Sequence, residues 1–256
     1  MRERYAAPGR MILGSDSHTR YGAYGAMAIG EGGPELARQL LRKTYDIAYP
    51  KVIAIYLTGA PRPGVGPQDV ALALIGATFR EGVVKNAVME FFGPGVGSLS
   101  MDYRSGIDVM TTETACLSSV WSTDEYTRAH LTALGRGEQY KAQAPAGGAY
   151  YDGVIRVDLS QVEPMIALPF HPSNAYTIRE FKANMADLLH QVDVDAAEQL
   201  SVKGAPSLTK KIVDGRFHVD QGVIAGCSGG TYQNLVRAAE ILGSHPIGSG
   251  EFWLSC

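Results

Sequence analysis

Short apolar runs alternate with longer amphipathic stretches along most of the chain. The apolar runs are bounded by glycine or polar turn residues, which is typical of buried strands. In the amphipathic stretches the apolar residues return every three or four positions, which is typical of helices. The predicted strands include RMILGSD, KVIAIYLTG, NAVMEFFG and VIRVDLS, and the predicted helices include GPELARQLLRK, GPQDVALALIGATFREG, STDEYTRAHLTALGRG and REFKANMADLLHQV. This alternation predicts an α/β fold whose sheets are mixed or mostly parallel.

An Ala-, Gly- and Pro-rich stretch, KAQAPAGGAYYDG, separates the first block of elements from the strand VIRVDLS. We therefore predict a first α/β unit over residues 1–148 and the start of a second one over residues 149–256. In the second unit, GVIAGCSGGTYQNLVRAAEILG repeats the order of strand, glycine turn and helix. The chain closes on GEFWLSC, which is typical of a strand but has no polar tail, so we expect an internal piece of a longer protein.

The composition narrows the classes of function. With 256 residues, of which 45% are hydrophobic and 19% charged, the chain can bury a sizeable core. Its net charge of −3 gives no basic surface for nucleic acid, and it has no apolar run long enough to span a membrane. The N-terminal MRERYAAPGR lacks the apolar segment of a secretory signal. Three widely separated cysteines, Cys116, Cys227 and Cys256, do not form a disulfide framework, so we expect the reducing cytoplasm.

The first candidate for chemistry is GSDSHT, which directly follows a predicted strand. Loops at the carboxyl ends of strands carry much of the chemistry of α/β proteins. Asp16 offers an acceptor, Ser17 a hydroxyl group and His18 a ring that titrates near neutral pH. On this stretch alone, an Asx-type turn followed by a packed or solvated histidine is the favoured interpretation.

Three further residues stand out by their surroundings. Glu113 lies in a largely neutral segment, MTTETACLSSVW, where it is either solvated or orients an imidazole ring. Cys227 lies at a glycine turn between a predicted strand and a predicted helix. Free N–H groups there favour a thiolate, although a lone cysteine is more often a small buried residue. His171 lies between two prolines, and we expect it to cap or fill that rigid turn.

Five segments, taken in order, resemble the aconitase superfamily of iron–sulfur hydro-lyases, and within it a branch of aconitase-like hydratases. They are GSDSHT, LTGAPRPGVGPQDVAL, TTETACLSSVWSTDE, DLSQVEPMIALPFHP and GCSGGTYQNLVRAAEIL. The resemblance implies three-layer α/β/α sandwich subdomains of the aconitase iron–sulfur type, packed around a [4Fe–4S] cluster. It also implies that an iron of the cluster binds the substrate hydroxyl group while a base removes a proton from the neighbouring carbon.

By this resemblance Asp16, Ser17, His18 and Glu113 are catalytic residues. Ser17 is expected to contact the substrate, His18 to relay a proton, and Glu113 to hydrogen-bond His18 and hold its tautomer. Cys227 corresponds to one of three cluster thiolates, and the other two form a CxxC pair in the family, which this chain lacks. We therefore expect those two ligands outside this chain, and we expect this piece alone to lack a stable cluster and activity.

Two departures from the family pattern concern the substrate. Gly229 and Val109 each replace an asparagine, and the N-terminal histidines and the C-terminal module of the family have no counterpart here. These changes predict a small hydroxy-carboxylate or unsaturated carboxylate other than citrate. The remaining domains of the parent chain are the other expected partners, and Cys116 and Cys256 are not expected to bind the cluster.

Two other classes of protein stay open. A mononuclear metal-dependent hydrolase would bind zinc or manganese through Asp16, His18 and Glu113, and its cysteines would not matter. A catalytically lost aconitase-like scaffold would keep the fold and bind a ligand without a cluster, which the two departures from the family pattern allow.

Overall fold

A computed structural model of the chain describes residues 1–200 and 207–243 and the backbone of residues 253–255. The strands are β1 (Met11–Gly14), β2 (Met27–Gly30), β3 (Val52–Thr58), β4 (Val88–Phe92), β5 (Ser118–Trp121), β6 (Gly153–Asp158), β7 (Met165–Ala167), β8 (Ala175–Thr177), β9 (Ile212–Val213), β10 (Arg216–Phe217), β11 (Gln221–Val223) and β12 (Trp253–Ser255). The helices are α1 (Arg2–Tyr5), α2 (Gly33–Leu40), α3 (Pro67–Thr78), α4 (Met101–Met110), α5 (Glu125–Ala133), α6 (Ile178–Ala183), α7 (Met185–Leu200), α8 (Gly226–Gly229) and α9 (Tyr232–Leu242).

Side-chain caps explain where several helices begin. The Ser100 hydroxyl group accepts a hydrogen bond from Tyr103 N at the start of α4. The Asp124 carboxylate accepts from the backbone N–H groups of Tyr126 and Thr127 at the start of α5. Because these caps satisfy N–H groups that have no partner within the helix, polar residues in the sequence mark the helix starts.

The centre of the fold is a four-stranded parallel sheet with the order β5–β4–β3–β6. Across it Ile55 lies opposite Phe91, and Phe91 lies opposite Trp121. These residues share one face of the sheet, because successive side chains along a strand alternate between the faces. That face packs against α3 and α4. The buried residues of this core include Ile53, Ile55, Leu57, Met89, Phe91 and Trp121 from the strands and Val70, Leu74 and Ile107 from the helices.

The opposite face of the sheet is more open. Val52, Glu90 and Val120 line a groove of about 480 Å³ together with side chains of β1, β2 and the segment before β3. Tyr49, in that segment, is 97% exposed. Among the described residues, α3 and α4 therefore seal one face of the sheet, and the other face keeps a groove open to solvent.

A second parallel pair, β1 and β2, lies beside the central sheet. Its strands are in register, so that Gly14 at the end of β1 lies opposite Gly30 at the end of β2. The Ser118 hydroxyl group of β5 donates to Ala28 O of β2 at 2.7 Å. This contact holds the loop after β1 close to the turn that precedes β5.

The segment after β6 forms a smaller packed region. β7 and β8 pair in antiparallel orientation and contact α3. Phe181 and Leu189, from α6 and α7, are buried among side chains of the β7–β8 and β9–β10 hairpins. Asp193 of α7 stabilises the start of residues 207–243, because its carboxylate accepts hydrogen bonds from the Ser207 hydroxyl group and from Thr209 N.

The α/β class with a parallel sheet is confirmed. The strand β6, which follows the Gly-rich stretch, pairs with β3 in the central sheet and places Gly153 opposite Ile53. The division into units over residues 1–148 and 149–256 stays a prediction, and this pairing favours a boundary after β6. None of the helices in the described ranges is long and apolar enough to cross a membrane.

Candidate functional site

Two glycines determine the path of the loop after β1. A side chain on Gly30 would overlap the carbonyl oxygen of Asp16, and a side chain on Gly14 would overlap the Thr19 side chain. The loop therefore folds back closely over the ends of β1 and β2. Within it Asp16 Oδ1 accepts a hydrogen bond from His18 N at 2.6 Å, which is the predicted Asx-type turn. This turn directs the His18 ring toward the turn before β5.

The His18 ring lies against Glu113. Its Nε2 atom is 3.3 Å from Glu113 Oε1. Its Nδ1 atom is 3.1 Å from Ser17 Oγ and 3.5 Å from Asp16 Oδ1. The Thr112 hydroxyl group donates to Ser17 O at 2.7 Å, which ties the loop after β1 to the turn that carries Glu113. The structure therefore brings the four predicted residues together and makes the expected contact between Glu113 and His18.

A second imidazole ring reaches the same carboxylate. His171 Nε2 lies 3.8 Å from Glu113 Oε2, on the side that His18 leaves free. Ser173 N donates to His171 Nδ1 at 3.1 Å, so in the neutral ring the proton is on Nε2 and faces Glu113. The ring also stacks on Phe79 at the end of α3, with the centroids 3.9 Å apart. The predicted capping of the turn is confirmed, and the contact with Glu113 is an addition that the sequence analysis missed.

The three groups are half-buried and open on one side. The exposed fractions of the side chains are 36% for His18, 29% for Glu113 and 37% for His171. A small molecule can therefore reach them, while each carboxylate oxygen faces a different imidazole nitrogen. One carboxylate can thus orient both rings, and neutral imidazole rings accept and donate protons near neutral pH.

Cys227 is exposed on the short helix α8, which packs against α4. Amide side chains hold the turn around it. Gln68 Nε2 of α3 donates to Ser228 O at 2.8 Å, and Asn234 Nδ2 of α9 donates to Gly229 O at 3.0 Å. The thiol is therefore presented at a surface that α3, α8 and α9 build together.

The described residues do not complete the ligand set of an iron–sulfur cluster. Cys116 is buried in the main core, where its thiol donates to Thr111 O at 3.3 Å, so it acts as a packing residue, as expected. Cys256 lies outside the described residues. Within the described part of the chain, no three His, Cys, Asp or Glu side chains form a group that could hold a metal ion. Cys227 alone offers a thiolate there.

The two departures from the family pattern lie in different surroundings. Val109 is buried within α4, so its side chain contributes to packing and not to a surface that a ligand could touch. At Gly229, a side chain would project into open space. Only the change at Gly229 therefore alters the exposed surface next to Cys227.

Comparisons with known proteins agree on one family. A family model described as the aconitase family (aconitate hydratase) matches residues 1–250. The chain is similar to the 3-isopropylmalate dehydratase large subunit of Elusimicrobium minutum, with 31% identity over 97% of this chain and 51% of that protein. It is also similar to the 2,3-dimethylmalate dehydratase large subunit of Eubacterium barkeri, with 32% identity over 93% of this chain and 49% of that protein.

A third relative is longer. The chain is similar to the mitochondrial aconitate hydratase of Candida albicans, with 30% identity over 96% of this chain and 30% of that protein. The chain thus spans about half the length of the two dehydratase large subunits and less than a third of the aconitate hydratase.

Proposed function

The chain belongs to the aconitase family, and on that basis we propose that the protein acts as a hydro-lyase on a small hydroxy-carboxylic acid. Dehydration of such an acid breaks a C–H bond and a C–O bond on neighbouring carbons, forms the double bond between them and releases water. The relatives are named for hydration or dehydration of aconitate, 3-isopropylmalate and 2,3-dimethylmalate. The reaction needs a group that accepts the proton and a group that assists departure of the hydroxyl group.

The contact of Glu113 with His18 at a partly exposed surface carries this proposal. In it Glu113 orients the ring through Nε2, and the Nδ1 side of His18 is left for proton exchange. Ser17 Oγ, beside that nitrogen, is the proposed substrate contact. The exposed carboxylate of Asp16 completes the charged network around the ring.

His171 is the proposed second support of the carboxylate. Its Nε2 atom faces Glu113 Oε2, and a backbone N–H group sets its tautomer. A carboxylate with an imidazole ring beside each oxygen has little freedom to rotate away from His18. We therefore assign His171 to positioning Glu113.

We further propose that Cys227 supplies one thiolate of a [4Fe–4S] cluster, with the other ligands coming from outside the described residues. Cysteine thiolates hold such clusters, and a bound cluster supplies an iron that acts as a Lewis acid on the substrate oxygen. Because the described residues offer a single thiolate, the 256-residue chain alone is expected not to retain the cluster.

The test is anaerobic reconstitution, with iron and sulfide, of the protein as the cell produces it. We expect bound iron, the visible absorbance of a cluster, and reversible hydration of an unsaturated carboxylate from a panel of such acids. Cys227→Ser should lose iron, whereas His18→Asn and Glu113→Gln should keep iron and lower kcat by about 10²–10⁴-fold. His218→Asn, an exposed histidine after β10, is the matched control and should change neither quantity.

Two results would replace this proposal. If Cys227→Ser still binds stoichiometric zinc or manganese, the protein is a mononuclear hydrolase. The geometry argues against this outcome, because Asp16 and Glu113 approach opposite nitrogens of His18 and so do not converge on one ion. A protein without a cluster and without activity on the whole panel would indicate the binding scaffold.

For the compartment we propose the cytoplasm, because the cysteines do not suggest disulfides. One relative is named as mitochondrial, so fractionation of the cells that produce the protein is the direct test. The proposed partners are the small carboxylate substrate and the remaining domains of the parent chain.

A further inference from the structure

A buried arginine is bonded to the chain next to both His18 and Glu113. Arg20 is only 5% exposed, although it follows His18 by two positions. Its guanidinium group donates to Thr19 O at 3.1 Å, to Ala28 O at 3.4 Å and to Cys116 O at 3.0 Å. One side chain thus joins the loop after β1, the strand β2 and the end of the turn that carries Glu113.

A buried acidic residue of α4 lies in the same core. Asp108 is completely buried, and its Oδ1 atom accepts hydrogen bonds from Ser119 Oγ at 2.6 Å and from Trp121 Nε1 at 2.9 Å. Burial raises the pKa of Asp108, which these hydrogen bonds and the positive charge of Arg20 only partly oppose. Burial therefore disfavours the charged form of Asp108, and among the described contacts it forms no ion pair with Arg20.

The carbonyl groups that Arg20 holds lie close in sequence to His18 and Glu113. Thr19 follows His18 directly, and Cys116 follows Glu113 by three positions. Transfer of a guanidinium group from water into a core costs several kcal/mol, and apolar side chains of similar volume often pack there at no loss of stability. Packing alone therefore does not account for a buried Arg20.

We propose that Arg20 is a positioning residue, which holds the loop after β1 and the turn of Glu113 at the distance that brings His18 Nε2 to the carboxylate. The consequence for catalysis rests on the proposed function, whereas the geometric claim concerns only the contact of His18 with Glu113.

The chain offers a matched control in Arg104. This arginine is also buried, lies on α4, pairs with Asp124 and donates to Val96 O and Leu99 O. Arg20→Met and Arg104→Met each remove a buried guanidinium group of the same size. Only the first removes a link between the loop after β1 and the turn that carries Glu113.

The experiment uses the 256-residue chain with ¹⁵N-labelled histidine, and NMR records the ring nitrogens of His18. In the unmutated chain and in Arg104→Met, adding Glu113→Gln should shift the His18 Nε2 signal. In Arg20→Met this response should be lost. A response that persists in Arg20→Met, or that is lost equally in Arg104→Met, overturns the proposal.

If Arg20→Met does not fold, as judged by circular dichroism, Arg20→Lys decides the question. The lysine keeps the positive charge but replaces the planar fork of donors with a compact ammonium group. We expect a folded protein with a reduced His18 response, and an undiminished response overturns the proposal. If both variants fold, the His18 response in Arg20→Met should be no larger than that in Arg20→Lys.

Activity separates this inference from the proposed function. In the reconstituted protein, Arg20→Lys should lower kcat by about 10²-fold with KM nearly unchanged, since small displacements of catalytic groups have effects of that size. An inactive reconstituted protein with an intact His18 response contradicts the proposed function alone. An active one whose His18 response does not depend on Arg20 contradicts this inference alone.

Discussion

The proposed site has two halves that differ in how they are supported. The elements next to His18 and Glu113 bury polar and aromatic side chains, among them Arg20, Asp108 and Trp121. By contrast, the two helices around Cys227, α8 and α9, both within the described ranges, contain no buried residue. The half with His18 and Glu113, here called the acid–base half, is thus supported by the core of this chain, whereas the thiol half lies on its surface.

This difference follows from burial. A contact holds a group in place only when its neighbours cannot rearrange at a small cost in free energy. In a close-packed core that free energy is large. Surface helices without buried residues open locally with little free energy. Mutations should therefore affect the two halves unequally.

The largest effect is expected from Phe91→Ala. Phe91 is fully buried and stacks on Trp121 with the ring centroids 4.3 Å apart, and Trp121 in turn donates to Asp108. The substitution should lower the free energy of unfolding by about 3–5 kcal/mol. Urea unfolding measures the change, and a loss below about 1 kcal/mol would show that the core does not support the acid–base half as described.

A smaller effect should appear in acid at Asp193. Burial alone would raise the pKa of this group, but hydrogen bonds from Thr209, Ser207 and backbone N–H groups lower it to about 2 from an ordinary value of 3.8. Because the folded-state pKa is the lower one, Asp193 stabilises the fold above pH 3.8. This contribution is lost as the pH falls from about 4 toward about 2.

Asp193→Asn removes the titrating group and is the variant for this measurement. The unmutated protein should lose more stability than Asp193→Asn over the same acid range, as measured by urea unfolding at several pH values. Parallel losses in the two proteins would contradict a lowered pKa at this position.

The smallest effect on stability is expected at the thiol half. Cys227→Ser should change the free energy of unfolding by less than about 0.5 kcal/mol, because the side chain is exposed. A thiol reagent provides a sharper contrast when Cys256 is first replaced by serine. Cys227 should react at once, while buried Cys116 should react only as the protein unfolds. Equal rates for the two would remove the distinction between the halves.

Much of the central architecture could be predicted from the hydrophobic pattern. The strands β3 and β4 and the helix α3 follow from their apolar runs, because most residues of each element are buried or half-buried. The place of β6 could not be predicted in this way. A Gly-rich connection indicates a boundary, but only tertiary packing shows that the chain returns to pair with β3.

The site was predictable only in part. The contact of Glu113 with His18 came from the family resemblance, since no spacing rule joins residues so far apart in the chain. The contact of His171 with Glu113 was missed because the turn explains His171 fully in local terms, and nothing local indicates that the β7–β8 hairpin packs on α3. Arg20 was missed because an arginine after a polar loop is usually exposed.

The paired glycines at the ends of β1 and β2 show that the site depends on two positions without side chains. Gly30 carries no charge and contacts no ligand, yet a single added methyl group would occupy the space of the Asp16 carbonyl oxygen. The shape of the loop therefore depends on a residue of β2 that has no side chain of its own. A side chain at Gly30 is therefore expected to displace the loop that carries His18 without changing any acid, base or thiol of the chain.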